Sequence, residues 1–448
     1  MEESNKNSLK KVLTIALPSV IDDLLQAVVG LVDTFMVSKL GSVAITSIGI
    51  INQPRLFILS TFFAIQTCIS FLVARKIGED DKRGGNEIFL VGLSYVIVLS
   101  IVFALLFNLI AKPFVIFCGA NAETMDNSIM YFRIIITGLI FNNFFCYINA
   151  VERGCGNTKL TLKTNLISYV VNITFNYLLI EGRYGFPRLE VQGAAIATVL
   201  GSVVASVYAF FKLFRKDSFI NALYIISEKV RVSKESLVLV IRNWWSIFVD
   251  LFLTRVGFMI QSVIAARMGT IDYAVNHIGM MFLTFAYSFG NGISVAAVSL
   301  VGSSIGAKDM DLAKKYADLS KKTGLVVSLS ISVILLIFGK SFFRIFFEDE
   351  YSLQLGALVA KFLAVVIPLA IYKIVLIGII RSGGDNKFIM KVSIVANTLI
   401  QPVIAFILIV VLKIGIRGAW IGVFVSQFSA MIATHLRYKS GKWIKTAL

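Results

Sequence analysis

Apolar runs close to bilayer length recur along the whole chain, separated by short polar breaks. Runs of roughly 20 residues are what a helix needs to cross a hydrocarbon core. They predict twelve spans, at 12–38, 46–74, 89–110, 126–150, 161–180, 192–213, 237–264, 275–300, 323–343, 354–380, 389–412 and 418–436. Apolar positions within each run are continuous rather than alternating with period two, so the pattern is that of an all-α membrane protein and not of a barrel.

The first run departs from the rest. LTIALPSVIDDLLQAVVGLVDTFMVSKLG at 13–41 is apolar enough to enter a bilayer, yet it holds Asp22, Asp23 and Asp33. A carboxylate near the membrane centre costs roughly 2.5–3.5 kcal/mol on insertion scales, so acids that persist there point to a use. At about 100° per residue, Asp22, Gln26, Val29 and Asp33 fall on one stripe, which should face protein or water rather than lipid. Pro18 removes a backbone donor and crowds the preceding turn, so the helix is expected to bend where that stripe begins.

Composition agrees with the pattern: of 448 residues 57% are hydrophobic and 15% charged, and the mean hydropathy is +0.83. The net charge of +17 would suggest nucleic acid in a soluble protein, so its placement decides its meaning. The N-terminus and every second loop carry 28 Lys and Arg residues against 9 in the opposite loops. By the positive-inside rule both termini are cytoplasmic, and the basic excess faces lipid headgroups rather than nucleic acid. Cys68, Cys118, Cys146 and Cys155 have no metal-ligand spacing and are read as small packing residues. Acids interrupt the first run and no small-residue cleavage site follows, so the segment is read as a retained span in the plasma (inner) membrane.

The chain repeats itself. Shifted by 228 residues, Leu40-Gly41 falls on Met268-Gly269, Ile77-Gly78 on Ile305-Gly306, and RGCGNTK at 153–159 on RSGGDNK at 381–387. Near the ends the offset slips to 225, with VQGAAIA at 191–197 facing IRGAWIG at 416–422. This predicts two six-helix bundles of one topology: an N-terminal lobe at 1–216, a cytoplasmic inter-lobe loop at 217–236 and a C-terminal lobe at 237–448. Under the same shift Asp22 lands on Asp250 and Asp33 on Gln261, and Asp250, Thr254, Gly257 and Gln261 again share one helical face. Two repeats with polar groups near the midplane suit alternating access, whereas a channel needs a filter motif that is not present. Asp22, Gln26, Asp250, Thr254 and Gln261 are therefore expected to line the substrate cavity. Intramembrane Asp residues could instead pair with Arg133, Arg255, Lys361 or Lys373, while Arg153 and Arg381 are expected to anchor to headgroup phosphates.

Three strings carry a family resemblance. QAVVGLVDTFMVSKLG at 26–41, GISVAAVSLVGSSIGAKDMDLAKK at 292–315 and the paired Arg-Gly turns resemble, in order, markers of the multidrug and toxic compound extrusion (MATE) transporters of prokaryotes. The resemblance implies twelve helices in two lobes and outward transport of cationic or amphipathic small molecules, driven by inward H+ or Na+ with no other cofactor, by a protein acting as a monomer. It also implies that Asp33 is the coupling acid and that Asn172, Asn176 and Thr198 complete an ion site able to take Na+. Asn176 stands where the family pattern has Asp, which keeps an oxygen but removes a charge and weakens the case for tight Na+ binding. Exchange of one proton for one monovalent cation would move no net charge.

Two other readings fit less well. Flippases for lipid-linked precursors share a two-lobed plan but should line their cavity with basic residues, and here the repeat-matched groups are acidic. An integral membrane enzyme would need a nucleophile or carboxylate-histidine cluster, and the chain has two His.

Overall fold

In a computed structural model, which describes residues 2–215 and 218–445, the apolar runs form long helices. The first five are α1 (Glu2–Ser38), α2 (Ser42–Gly78), α3 (Lys82–Leu109), the short α4 (Ala111–Phe117) and α5 (Met125–Thr137). They are followed by α6 (Leu139–Gly154), α7 (Thr158–Leu179), α8 (Glu190–Lys212) and the short α9 (Ala222–Ser227). The second half comprises α10 (Lys234–Ala265), α11 (Thr270–Gly306), α12 (Met310–Phe343) and α13 (Glu350–Ser382). It closes with α14 (Asn386–Val411), α15 (Ile416–Lys439) and α16 (Lys442–Lys445).

Ten of these helices are long and apolar enough to cross a membrane, and α5 with α6 makes an eleventh crossing, bent by 47° at its break. Helix α7 is the twelfth. Its 22 residues span about 33 Å at 1.5 Å per residue, but Asn165, Asn172 and Asn176 dilute its apolar character, and all three are buried. The architecture is thus the expected all-α, twelve-span one, with the span expected at 126–150 divided at Gly138.

Contacts divide the chain into two units, Ile21–Trp244 on one hand and Met1–Val20 with Trp245–Leu448 on the other. The loop boundary expected at 216/217 falls on Lys216 and Asp217, outside the described residues. In the second unit, Val12, Ile15 and Ala16 of α1 join the core formed by Ile293, Ala297 and Val301 of α11 and Leu376 and Ile380 of α13. Helices α1 and α11 approach closely there because position 292 is glycine: a Cβ would sit 2.9 Å from Ala16 O and 2.4 Å from Val20 Cγ2. In the first unit, Val37, Ile51, Leu59 and Phe62 pack with Phe132, Ile136, Leu139 and Ala195.

Small residues set the spacing of the helices that carry polar groups. Helix α8 turns Gly193, Ala194, Ala197, Gly201 and Ser202 inward, and a Cβ on Gly201 would meet Ser168 O of α7 at 2.7 Å. Without a hydrophobic drive between helices in lipid, such close backbone packing is what brings side chains of neighbouring helices within hydrogen-bonding reach. In the other unit Gly257 of α10 lies against α14, where a Cβ would be 2.3 Å from the Asn397 carbonyl oxygen. Gly257→Ala is therefore expected to destabilise the protein by about 1–3 kcal/mol, the usual range for overpacking, read as a lower melting temperature by tryptophan fluorescence. Helix α14 widens to π-helical turns at Ile394–Ile400, where Gln401 N–H donates to Ala396 O five residues back. Such bulges often mark functional segments, because they shift the phase of the side chains that follow.

Candidate functional site

Each unit holds two polar clusters. In the unit Ile21–Trp244, Asp22 of α1 is 2% exposed. Arg153 Nη2 at the end of α6 donates to Asp22 Oδ2 at 2.9 Å, and Asn165 Nδ2 of α7 donates to both carboxylate oxygens at 2.7 and 2.8 Å. Asn165 is in turn held by Asn149 Nδ2, which donates to its Oδ1 at 2.8 Å. In the other unit Arg381 Nη2 donates to Asp250 Oδ2 at 2.7 Å. Both ion pairs join residues 131 positions apart, so the repeat has kept a whole ion pair in each half. A buried carboxylate needs a counterion, and the Arg-Gly turns supply it. Arg153 and Arg381 thus reach inward to these acids rather than serving only as the headgroup anchors expected from the sequence.

The second cluster of the first unit lies about three turns further along α1. Asn176 Nδ2 donates to Asp33 Oδ1 at 2.6 Å and lies 3.4 Å from Asn172 Oδ1. Asn172 Nδ2 donates to Thr198 Oγ1 at 3.2 Å, and Thr198 returns its proton to the Ala194 carbonyl of its own helix. The four residues of the expected ion site are therefore brought together by α1, α7 and α8. Asn176 is 1% exposed, and its Oδ1 has no hydrogen-bond partner among the described residues. Among the described residues Asp33 makes no ion pair: Arg55 of α2 lies within electrostatic range but farther than a salt bridge, and it hydrogen-bonds Tyr131 of α5.

The equivalent cluster in the second unit has no acid. Gln401 Nε2 donates to Gln261 Oε1. Asn397 Nδ2 donates to Thr254 Oγ1 at 3.4 Å, and Ser426 donates to Asn397 Oδ1 at 3.4 Å. Asn397 and Ser426 stand where Asn172 and Thr198 stand in the first unit, at offsets of 225 and 228. Nearby Lys373, 8% exposed, donates to Gln427 Oε1 at 2.6 Å. Gln26 is exposed on α1 and joins neither cluster. The sequence names Lys373 only as a possible partner for an intramembrane acid and assigns Arg55 and Asn165 no place in a site; the rule that an ion inside a span demands a reason is the one signal that singles out Arg55.

The oxygens at Asp33 test whether a sodium ion fits. One carboxylate, two amide oxygens and a hydroxyl are of the right type. As oriented, however, the Asn176 amide presents its NH2 to Asp33, which satisfies an ionised acid without a metal; its oxygen points away. Among the described residues no group of three His, Cys, Asp or Glu side chains could hold a metal.

A helical membrane protein whose two halves carry repeat-related, buried polar clusters has a plan found in many transporters. Comparison with known proteins places this chain among them. The MatE family matches residues 18–178 and 246–407; the chain belongs to this family. A probable multidrug resistance protein NorM of Thermotoga maritima is 22% identical over 98% of this chain and 94% of its own length. A crystal structure of a MATE protein in complex with MaD3S shares the fold with a TM-score of 0.89, at 20% identity, covering 98% of this chain and 97% of that one. A further neighbour, a MOP superfamily transporter from Pyrococcus furiosus, covers 97% of this chain and 96% of its own at a TM-score of 0.87 and 20% identity, and is described as having a binding pocket of reverse polarity.

Proposed function

We propose that this protein is a proton-coupled antiporter that exports cationic or amphipathic small molecules, with Asp33 as the group that exchanges its proton for cargo. One observation carries the reading. Of the acids on the two repeat-matched stripes, Asp22 and Asp250 are neutralised by arginines, while Asp33 is held by an amide and so is free to change its charge. In the ionised state Asp33 accepts from Asn176 and ties α1 to α7. A proton on Asp33 removes that acceptor, and the buried Asn176 oxygen becomes the natural partner of the new O–H if the amide turns over. The tie between helices is thereby remade rather than lost, and α1, with Pro18 and Gly30, is where the change in geometry is taken up. The charged or titratable groups facing Asp33 are Arg55 from α2 and Tyr131 from α5. Asp22 and Asp250 position helices, and Gln26, Thr254 and Gln261 supply polar surface. The protein resides in the plasma membrane with both termini in the cytoplasm.

The flippase reading is supported less well, since a pyrophosphate calls for several converging cations and Arg153 and Arg381 are already paired. Proteoliposomes with imposed gradients test the proposal. Ethidium export is expected to stop when nigericin collapses the pH gradient and to continue when sodium is replaced by choline. Transport that follows the sodium gradient and ignores pH would overturn proton coupling.

A further inference from the structure

Four carboxylates are buried among the described residues, and three of them have an arginine. Asp22 and Asp250 pair with Arg153 and Arg381, and Asp385 accepts from Arg437 Nε at 2.6 Å. The fourth is Glu152, 5% exposed in the last turn of α6, and among the described residues it makes no ion pair. Its partner is an amide: Asn157 Nδ2 donates to Glu152 Oε2 at 2.7 Å. A buried charge without a counterion is costly, so a carboxyl held in this way gains more from taking up a proton than one locked to a guanidinium.

The position of Asn157 makes that bond consequential. It directly precedes α7, where an asparagine side chain ordinarily accepts from the open N–H groups of the first turn. Here it makes no such bond; the amide is turned to Glu152, and the Asn157 backbone N–H donates to the Glu152 carbonyl at 2.8 Å. Near the far end of the same helix Asn176 holds Asp33, about 28 Å away at 1.5 Å per residue. Asp33 and Glu152 are thus tied to opposite ends of α7, each by an asparagine amide. Shifted by 228 residues, Glu152 falls on Ile380, Asn157 on Asp385 and Asp33 on Gln261, so the second unit has neither bond.

We propose that Glu152 is a second proton-binding site, one that answers to cytoplasmic rather than external pH, and that it acts on Asp33 through α7. The proposal rests on Asp33 as the coupling acid. The groups facing Glu152 are Arg215, exposed beyond the end of α8, and the Cys155 thiol of its own turn, and thiols ordinarily ionise above about pH 8. Other bases at this end of the unit are engaged or exposed. Arg75 and Lys76 of α2 bond Glu79, Arg83 of α3 faces Glu87, Lys212 of α8 lies over Tyr208, and Lys159 and Lys163 of α7 are exposed. Ionised Glu152 takes a charge-assisted bond from Asn157. A proton removes the charge and releases the amide, which can then turn its oxygen to the first N–H groups of α7. Protonation of either acid loosens the same helix, and two ligands that favour one alternative state assist each other. A proton on Glu152 therefore makes Asp33 hold its own more tightly, so an acid cytoplasm delays inward release and slows export even at a constant gradient.

Infrared difference spectra of the full-length protein in nanodiscs, recorded as pH is lowered across neutrality, follow the carboxylic acid C=O band of each group. One band is expected to vanish in Glu152→Gln and a different one in Asp33→Asn. Glu152→Gln carries the neutral form permanently and should raise the proton affinity of Asp33 at least about fivefold, the lower end of allosteric couplings. Asn157→Ala should keep the Glu152 band and raise that group's proton affinity severalfold, while adding Glu152→Gln to it should leave Asp33 unmoved. In everted vesicles under a constant pH difference, wild-type ethidium transport should slow severalfold as the cytoplasmic side is acidified; Glu152→Gln should be slow throughout and indifferent to that pH. A Glu152→Gln spectrum that keeps every wild-type band would overturn the site, and an unmoved Asp33 band in that variant would overturn its action through α7. Absence of an Asp33 band would count against the coupling reading and the action on Asp33, while the Glu152 band would still establish the site.

Discussion

Asp33→Asn is expected to reduce gradient-driven export to background while leaving the protein folded and inserted. The substitution is nearly isosteric, and an amide at position 33 can still bond Asn176 through its own oxygen, in place of the 2.6 Å contact made by the carboxylate. It also removes an ion whose presence in a span costs roughly 2.5–3.5 kcal/mol on insertion scales, so the melting temperature should stay level or rise. Efflux of a fluorescent cation from energised vesicles, with the melting curve of the same preparation, checks both halves. Export at the wild-type rate would remove Asp33 from the mechanism. A preparation that no longer melts cooperatively would instead assign Asp33 a structural role. The contrast with the other two acids makes the prediction specific, because a fixed charge in an ion pair cannot follow the external pH, whereas one held by a reversible amide can.

Asp250→Leu is expected to act in the opposite way, by costing stability rather than coupling. Arg381 and Lys373 would then share a buried region with no anion, since Asp250 is the carboxylate that Arg381 contacts and the one within electrostatic range of Lys373. Breaking a buried pair by removing one partner costs about 3–5 kcal/mol. The effect should appear as a fall in melting temperature and in folded yield, with near-normal export per folded molecule. Adding Lys373→Met should restore part of the loss, giving a non-additivity of at least about 0.5 kcal/mol for residues that share one partner. Strict additivity would mean that Lys373 does not depend on Asp250, and loss of export without loss of stability would return Asp250 to the substrate cavity.

Much of this protein is legible along the chain because lipid imposes a simple rule on sequence: a span must satisfy its backbone internally and present apolar side chains over a fixed length. Eleven of the twelve expected runs each coincide with a single long helix, although α1 begins at Glu2 rather than at 12 and α12 at Met310 rather than at 323. The exception, at 126–150, reads as continuous along the chain because a glycine is followed by further apolar residues, while in the structure Gly138 packs so closely on Val199 of another helix that a Cβ would sit 2.4 Å from its Cγ2. The internal shift of 228 residues likewise exposes Asp22 with Asp250 and Arg153 with Arg381 as matched positions. It does not reveal that each acid is bonded to the arginine of its own half.

Periodicity and hydropathy are local, so by themselves they determined the spans, the repeat and the places where charge enters the membrane. Which charges cancel is a matter of a few ångströms between helices more than a hundred residues apart, and only the tertiary structure decided that. Packing of small residues on α8 against α7, and of the Arg-Gly turns against α1 and α10, neutralises Asp22 and Asp250 and leaves Asp33 beside an amide, with Arg55 as a more distant counterion. Electrostatic energy depends on separation and burial rather than on position in the chain, which is why three acids that look alike in sequence end in different chemical states.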